Sequence, residues 1–177
     1  MDFEPVFRIP TAWSSACGQL AVHLFEGTLS VDEMNGLLSA GSQWTARHPG
    51  RRVEVVVVLP STARMSHEER VRMGELIRHG EQQRAASATV ILAEGILASV
   101  QRSVLTGLMM LSPAPHPAKV FGSLTDAAPW LLPFVQRLGA PRLQLDEFAS
   151  SLDAHLNAFR ARADRPRISH QPERRVS

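Results

Sequence analysis

The stretch "RVEVVVVL" at 52–59 constrains this chain more than any other. After Glu54 it shows no polar alternation, so a strand here is covered on both faces. A two-sided strand needs helices above and below it. Helices of that kind also supply the crossovers that parallel neighbours require. "SATVILAEG" at 87–95 has the same character and reads as a second buried strand. The expected class is therefore α/β, with a mostly parallel sheet.

The remaining elements fit around these two strands. "PVFRIP" (5–10) and "QLAVHLFEG" (19–27) read as short strands, with the Ser-, Gly- and Cys-containing segment between them as a turn. Ser30 with Glu33, and Ser66 with Glu69, have capping-box spacing, in which hydroxyl and carboxylate each satisfy a backbone N–H of the other residue. The first box opens a helix carrying Val31, Met34, Leu38 and Trp44, stopped by "HPG" at 48–50. Gly36 and Gly41 inside it cost about 1 kcal/mol each relative to Ala, tolerable where that face packs closely on a sheet.

The second box opens a strongly charged helix to about Arg84, with Glu68–Arg72 and Glu75–His79 at favourable spacing. Its apolar stripe of Val71, Met73, Leu76 and Ile77 is narrow, so one face looks outward. A far more apolar helix follows at 96–112, then a proline cluster and a last short strand at 118–123. "LTDAAPWLLPFVQRLG" is a helix with Pro129 near its first turn. Pro133 lies deeper, where the lost hydrogen bond is expected to kink or end it. The order is β-β-α-β-α-β-α-β-α, plus an extra C-terminal helix at 144–162.

The division expected is a domain over 1–142, an amphipathic helix over 143–163 and an Arg-rich tail over 164–177. From 160 to 177 there are six arginines against Asp164 and Glu173, a balance of +4. The remainder is therefore net negative although the whole chain is +2, so the body is not a basic, nucleic-acid-like surface. The tail is expected to be solvated and disordered, with weak, salt-sensitive nucleic-acid or lipid attachment as its functional alternative. No apolar run is long enough to span a bilayer, and the first ten residues lack a signal-peptide layout. With Cys17 as the single cysteine, a reducing, cytoplasmic setting is expected.

Motifs for catalysis are missing from the sequence. There is no G-x-S-x-G elbow, no phosphate-cradling G-x-x-x-x-G-K and no G-x-G-x-x-G. The seven histidines, at 23, 48, 67, 79, 116, 155 and 170, include no i, i+4 pair. Neither an enzyme, a metal site nor a cofactor is expected.

Three stretches together resemble STAS-like bacterial domains, the group that includes the antagonists of anti-sigma factors. "VHLFEGTLSVDEMNGLL" looks like the family's second strand, turn and first helix. "VEVVVVLPSTARMS" sits where the family has its third strand and functional loop, and "PAKVFGSLTDAAPWL" is similar to its final strand and helix. The likeness covers about residues 5–135. It implies a small sheet with helices that acts by binding protein or ligand. In the antagonists the loop carries an Asp-Ser pair whose serine is phosphorylated; here Pro60 stands before Ser61, so the aspartate is missing.

The resulting expectation is a non-enzymatic, cytoplasmic interaction or regulatory module whose partner is another protein or a second copy. Ser61, Thr62 and Arg64 are its candidate phospho-switch loop, set against simple turn chemistry with Ser66 as a helix cap. Leu145, Phe148, Leu152, Leu156 and Phe159 form a candidate interaction face, set against folding back on the domain. An apolar small molecule or lipid is the alternative ligand, in a groove near Leu105, Leu108, Met109 and Trp130.

Overall fold

The computed structural model describes residues 1–59, 65–92, 114–140 and 142–163. "RVEVVVVL" is strand β4 (Arg52–Leu59), and its register decides the architecture. Val53, Val55, Val57 and Leu59 enter one hydrophobic core, while Arg52, Glu54, Val56 and Val58 alternate onto the other face. β3 (Leu20–Glu26) and β5 (Arg84–Ile91) flank it in parallel, and β6 (Ala118–Phe121) pairs in parallel with β5. β1 (Glu4–Ile9) and β2 (Ala12–Cys17) add an antiparallel meander before β3, giving six strands in the order β1-β2-β3-β4-β5-β6.

β2 corrects the sequence expectation, which made this segment a turn and gave one strand fewer. The turns are two residues long and lie on either side, at Pro10–Thr11 and at Gly18–Gln19. Gly18 has φ of 56°, a backbone conformation that glycine adopts without a Cβ penalty. Between those turns Ser14 and Ser15 are buried. The sheet is accordingly mixed, with a parallel half and an antiparallel half.

Two crossover helices, α1 (Val31–Arg47) and α2 (His67–Arg78), join strands laid down in sequential order. Right-handed crossovers between sequential parallel strands fall on one face of the sheet. That face carries a small core of Ala12, Leu29, Met34 and Leu37, against which Phe7, Phe25, Met73 and Leu76 pack. Both capping boxes form: Ser30 and Ser66 accept from the backbone N–H of Glu33 and Glu69, whose carboxylates accept in return. Gly36 lies where a Cβ would come within 3.1 Å of the Phe7 ring, so close packing explains that glycine. Gly41 has open space instead.

The opposite face is closed by α3 (Leu124–Leu138) and α4 (Leu145–Ala163). α3 buries Leu124, Ala127, Ala128, Leu131 and Val135, an i, i+3, i+4 stripe. It continues past Pro133 to Leu138, contrary to expectation. Pro129 and Pro133 are both exposed, so the carbonyls deprived of an N–H partner lie on the side that water reaches.

The C-terminal stripe offered by the sequence as an interaction face is used within the chain. Phe148, Leu152, Leu156 and Phe159 are at most 5% exposed and belong to the main core with the β4 valines. The Phe159 ring meets Trp13 edge-on at 5.5 Å between centroids. Only Leu145, at the helix start, stays exposed. The segment 143–163 therefore completes the domain it follows. Among the described residues, no helix is long and apolar enough to cross a membrane.

If α4 is part of the core, Phe148→Ala should destabilise the chain by about 3–5 kcal/mol, as for other buried aromatic truncations. Urea unfolding followed by circular dichroism measures this. A loss within 1 kcal/mol or so of wild type would mean that α4 is dispensable to the fold.

Candidate functional site

The face of the sheet under α1 and α2 holds a lane of polar side chains. Arg52 and Glu54 are two apart on β4, so the pleat turns both to that face. Their register partners on β5 are Arg84 and Ser87. On β3 the residue opposite Glu54 is Ala21, which puts His23 one step along the same face, and His23 in turn pairs with Ser14 of β2. The lane thus crosses four strands.

Glu54 is its centre. One carboxylate oxygen accepts from Arg52 Nε at 2.9 Å and the other from Arg84 Nε, with Glu54 and both guanidinium groups close to fully buried. Each arginine spends further donors on a crossover connection. Arg52 Nη1 donates to Thr45 Oγ1 near the end of α1 at 2.9 Å, and to Gln83 Oε1 at 3.0 Å. Arg84 donates to the Ile77 carbonyl at 2.6 Å and the His79 carbonyl at 3.1 Å, carbonyls that the end of α2 leaves unpaired. Gly80, between α2 and β5, has φ of 68°, and a Cβ there would come 2.3 Å from Arg52 Nη2. Backbone conformation and the guanidinium together reserve the position for glycine.

Histidines flank the ion cluster. Ser14 Oγ and His23 Nδ1 are 2.6 Å apart in a hydrogen bond, and Ser87 Oγ and His116 Nε2 are 2.9 Å apart. Burial lowers the pKa of His23; the Glu54 charge opposes this, while Arg84 and Arg52 reinforce it. His116 is lowered by burial first and by Arg84 second, and its Nδ1 has no hydrogen-bond partner. Burial would raise the Glu54 carboxyl, but His23 when protonated, and Arg84 and Arg52 throughout, hold it below its ordinary range. At neutral pH the lane is two cations and one anion between two neutral imidazoles.

The order Ser14–His23–Glu54 has the residue types of a hydrolytic triad without its access. Ser14 is 3% exposed, and Glu54 is already engaged by two arginines. The bonds of the lane fasten helix ends to the sheet.

Sequence reading missed this lane. Its signal was the R-x-E at the head of an otherwise aliphatic strand, where two like-facing charges must find buried partners. Of the candidate site residues, Ser61, Thr62, Arg64, Leu105, Leu108 and Met109 lie outside the described residues. Trp130 is half-buried, in contact range of Phe121 and Phe134 at 5.7 and 5.1 Å between ring centroids.

The charged helix, by contrast, is as outward-facing as its narrow stripe implies. α2 has no buried residue; Val71 is 51% and Ile77 60% exposed. Its underside rests on α1, where Arg72 Nε donates to Asn35 Oδ1 at 2.7 Å and Ser42 Oγ bonds His79 Nε2 at 3.1 Å. No family model matches this chain, and no curated protein or solved structure matches it.

Removing the central anion strands two buried guanidinium groups. Glu54→Gln should therefore destabilise by about 3–5 kcal/mol in chemical denaturation, the range for breaking a buried pair from one side. An effect below 1 kcal/mol or so would place the cluster effectively in water. The histidines predict a pH profile of definite sign. His23, His116 and His155 are all lowered from 6.5 in the folded state, so the unfolded chain binds their protons first. Stability should be fully present above about 6.5 and decline as pH falls below it toward the lowered folded values. Urea midpoints between pH 8 and pH 5, in steps of about half a unit, check this; a flat profile would contradict it.

Proposed function

We propose that this chain is a non-enzymatic, STAS-like interaction module that docks a protein partner on the outer face of α2. The observation that carries the proposal is the exposure of α2. Among the described residues only Val71, Ile77 and Leu145 are large hydrophobics left exposed, and two of the three share this helix. The C-terminal stripe, the other candidate face, is occupied by the chain's own core. Its consumption leaves α2 as the favoured surface.

The chemistry of the face suits a groove-forming protein partner. Val71 and Ile77 are separated by six positions, with Glu68, Arg70, Glu75 and Arg78 around them. Covering two half-exposed aliphatic side chains contributes about 1 kcal/mol each, and the charges form a polar rim that selects orientation. A helix presented to a groove is a recurring recognition mode. Ser61, Thr62 and Arg64 precede this helix in sequence, so a phosphate accepted there would add negative charge just upstream of the docking element.

A photo-crosslinking amino acid placed at Val71, at Ile77 and, as a control, at exposed Thr125 of α3 tests the reading in cells. The expected result is one discrete adduct from the two α2 positions and none from Thr125. In the Val71 probe, adding Ile77→Glu should remove the adduct while thermal stability stays within about 0.5 kcal/mol of the parent. Equal labelling from all three positions, or none from α2, would refute α2 as the docking face.

A further inference from the structure

We propose that protonation of His23 releases the C-terminal end of α2, so that the docking helix is let go from the sheet as pH falls. This inference rests on α2 being the docking face, and it adds a control to that face. The path is short; its first step is made by charge and the others by bonds. His23 lies one step along the same face from Glu54 on the neighbouring strand; Glu54 holds Arg84; Arg84 holds the Ile77 and His79 carbonyls at the end of α2.

A neutral imidazole bonded to Ser14 leaves the Glu54 carboxylate to its two arginines. A protonated one becomes a third cation competing for a single anion, the buried Glu54 carboxylate. The groups facing His23 are Glu54 and Arg52 of β4, Arg84 of β5 and the Ser14 hydroxyl of β2. Those acting on His116, at the far end of the lane, are Arg84, Glu54, Glu81 and Arg51. Glu54 is the anion common to both lists, and its share for Arg84 falls as either histidine charges. Arg84 also holds two carbonyls at the end of α2. No side chain of α2 is fully buried, and its apolar contacts with the small core are those of the partly buried Met73 and Leu76.

The other links at this end of α2 are the His79–Ser42 bond and the Arg72–Asn35 contacts to α1. His79 is therefore the competing explanation for any acid effect, and the test separates it. Amide exchange of residues 76–79 and the ring proton of His23 are followed by NMR from pH 7.5 to 5, with exchange corrected for its intrinsic pH dependence. The expected result is a loss of about tenfold in protection at the α2 end, with the midpoint of the His23 ring titration. His23→Gln abolishes that midpoint, and His79→Gln leaves it in place.

Protection that persists through the His23 titration overturns the proposal. So does an unchanged midpoint in His23→Gln, or one lost in His79→Gln. The wild-type comparison of two midpoints stands even if a variant fails to fold. Crosslinking at Val71 reads the docking face separately. Acid release without an adduct sinks the docking reading and keeps the switch; an adduct of pH-independent yield on a helix that never loosens does the reverse.

Discussion

The carboxylate of Glu54, held between Arg52 and Arg84, is the constraint on which one whole side of the molecule depends. Burying three ions is expensive, and a triad of this kind is stabilising only when each charge is matched and the remaining donors are satisfied. Here they are satisfied by the crossover connections themselves: Thr45 of α1, Gln83 of the 3-10 turn (Glu81–Gln83), and two carbonyls at the end of α2. The desolvation cost is thereby tied to a unique placement of three connecting segments. An aliphatic replacement could fill the space; it could not cap a helix.

The two faces of the sheet are consequently held by different forces. Below β4 the valines, α3 and α4 form a continuous hydrocarbon core, sealed by Phe148 and Phe159. Burial of that sort is non-directional and insensitive to pH. Above β4 the hydrophobic contribution is a smaller cluster under α1, displaced toward β1–β3, and the β4–β5 region relies on directional bonds between ionisable groups. A single sheet thus separates a side packed mainly by hydrocarbon from one held largely by bonds between ionisable groups.

Much of this fold was legible in the sequence because the signals were local. A run of valines specified a two-sided strand, and both capping boxes formed where Ser30–Glu33 and Ser66–Glu69 placed them. What escaped was settled by partners distant in sequence. Ser14 looks like a turn residue until His23 is across from it on β3, and Ala12–Cys17 is then a buried strand. Pro133 looks like a helix stop until its position on the exposed side of α3 is known. The amphipathic α4 carried a clear stripe, yet no periodicity states whether such a stripe meets its own domain or another molecule. Glu54 was visible as a break in the aliphatic pattern, but Arg84 lies 30 residues away, and only sheet register brings them together.

α2 differs from the other described helices in being held by its ends, by polar contacts and by only two partly buried apolar side chains, Met73 and Leu76. α1, α3 and α4 each bury several side chains, and moving them would expose hydrocarbon. α2 buries none: Ser66 and Glu69 fix its first turn, Arg84 fixes its last, and Arg72 and His79 tie its flank to α1. Directional bonds of this kind hold position well while every partner keeps its charge, and they fail together when one changes. A helix so mounted leaves Val71 and Ile77 exposed, because the fold has not used them. It can also be displaced without opening the main core, since the bonds that would break lie on the other face of the sheet. Outward exposure and polar mounting therefore have one origin, a stripe on α2 too narrow to be fully buried: Met73 and Leu76 reach the small core, while Val71 and Ile77 stay exposed.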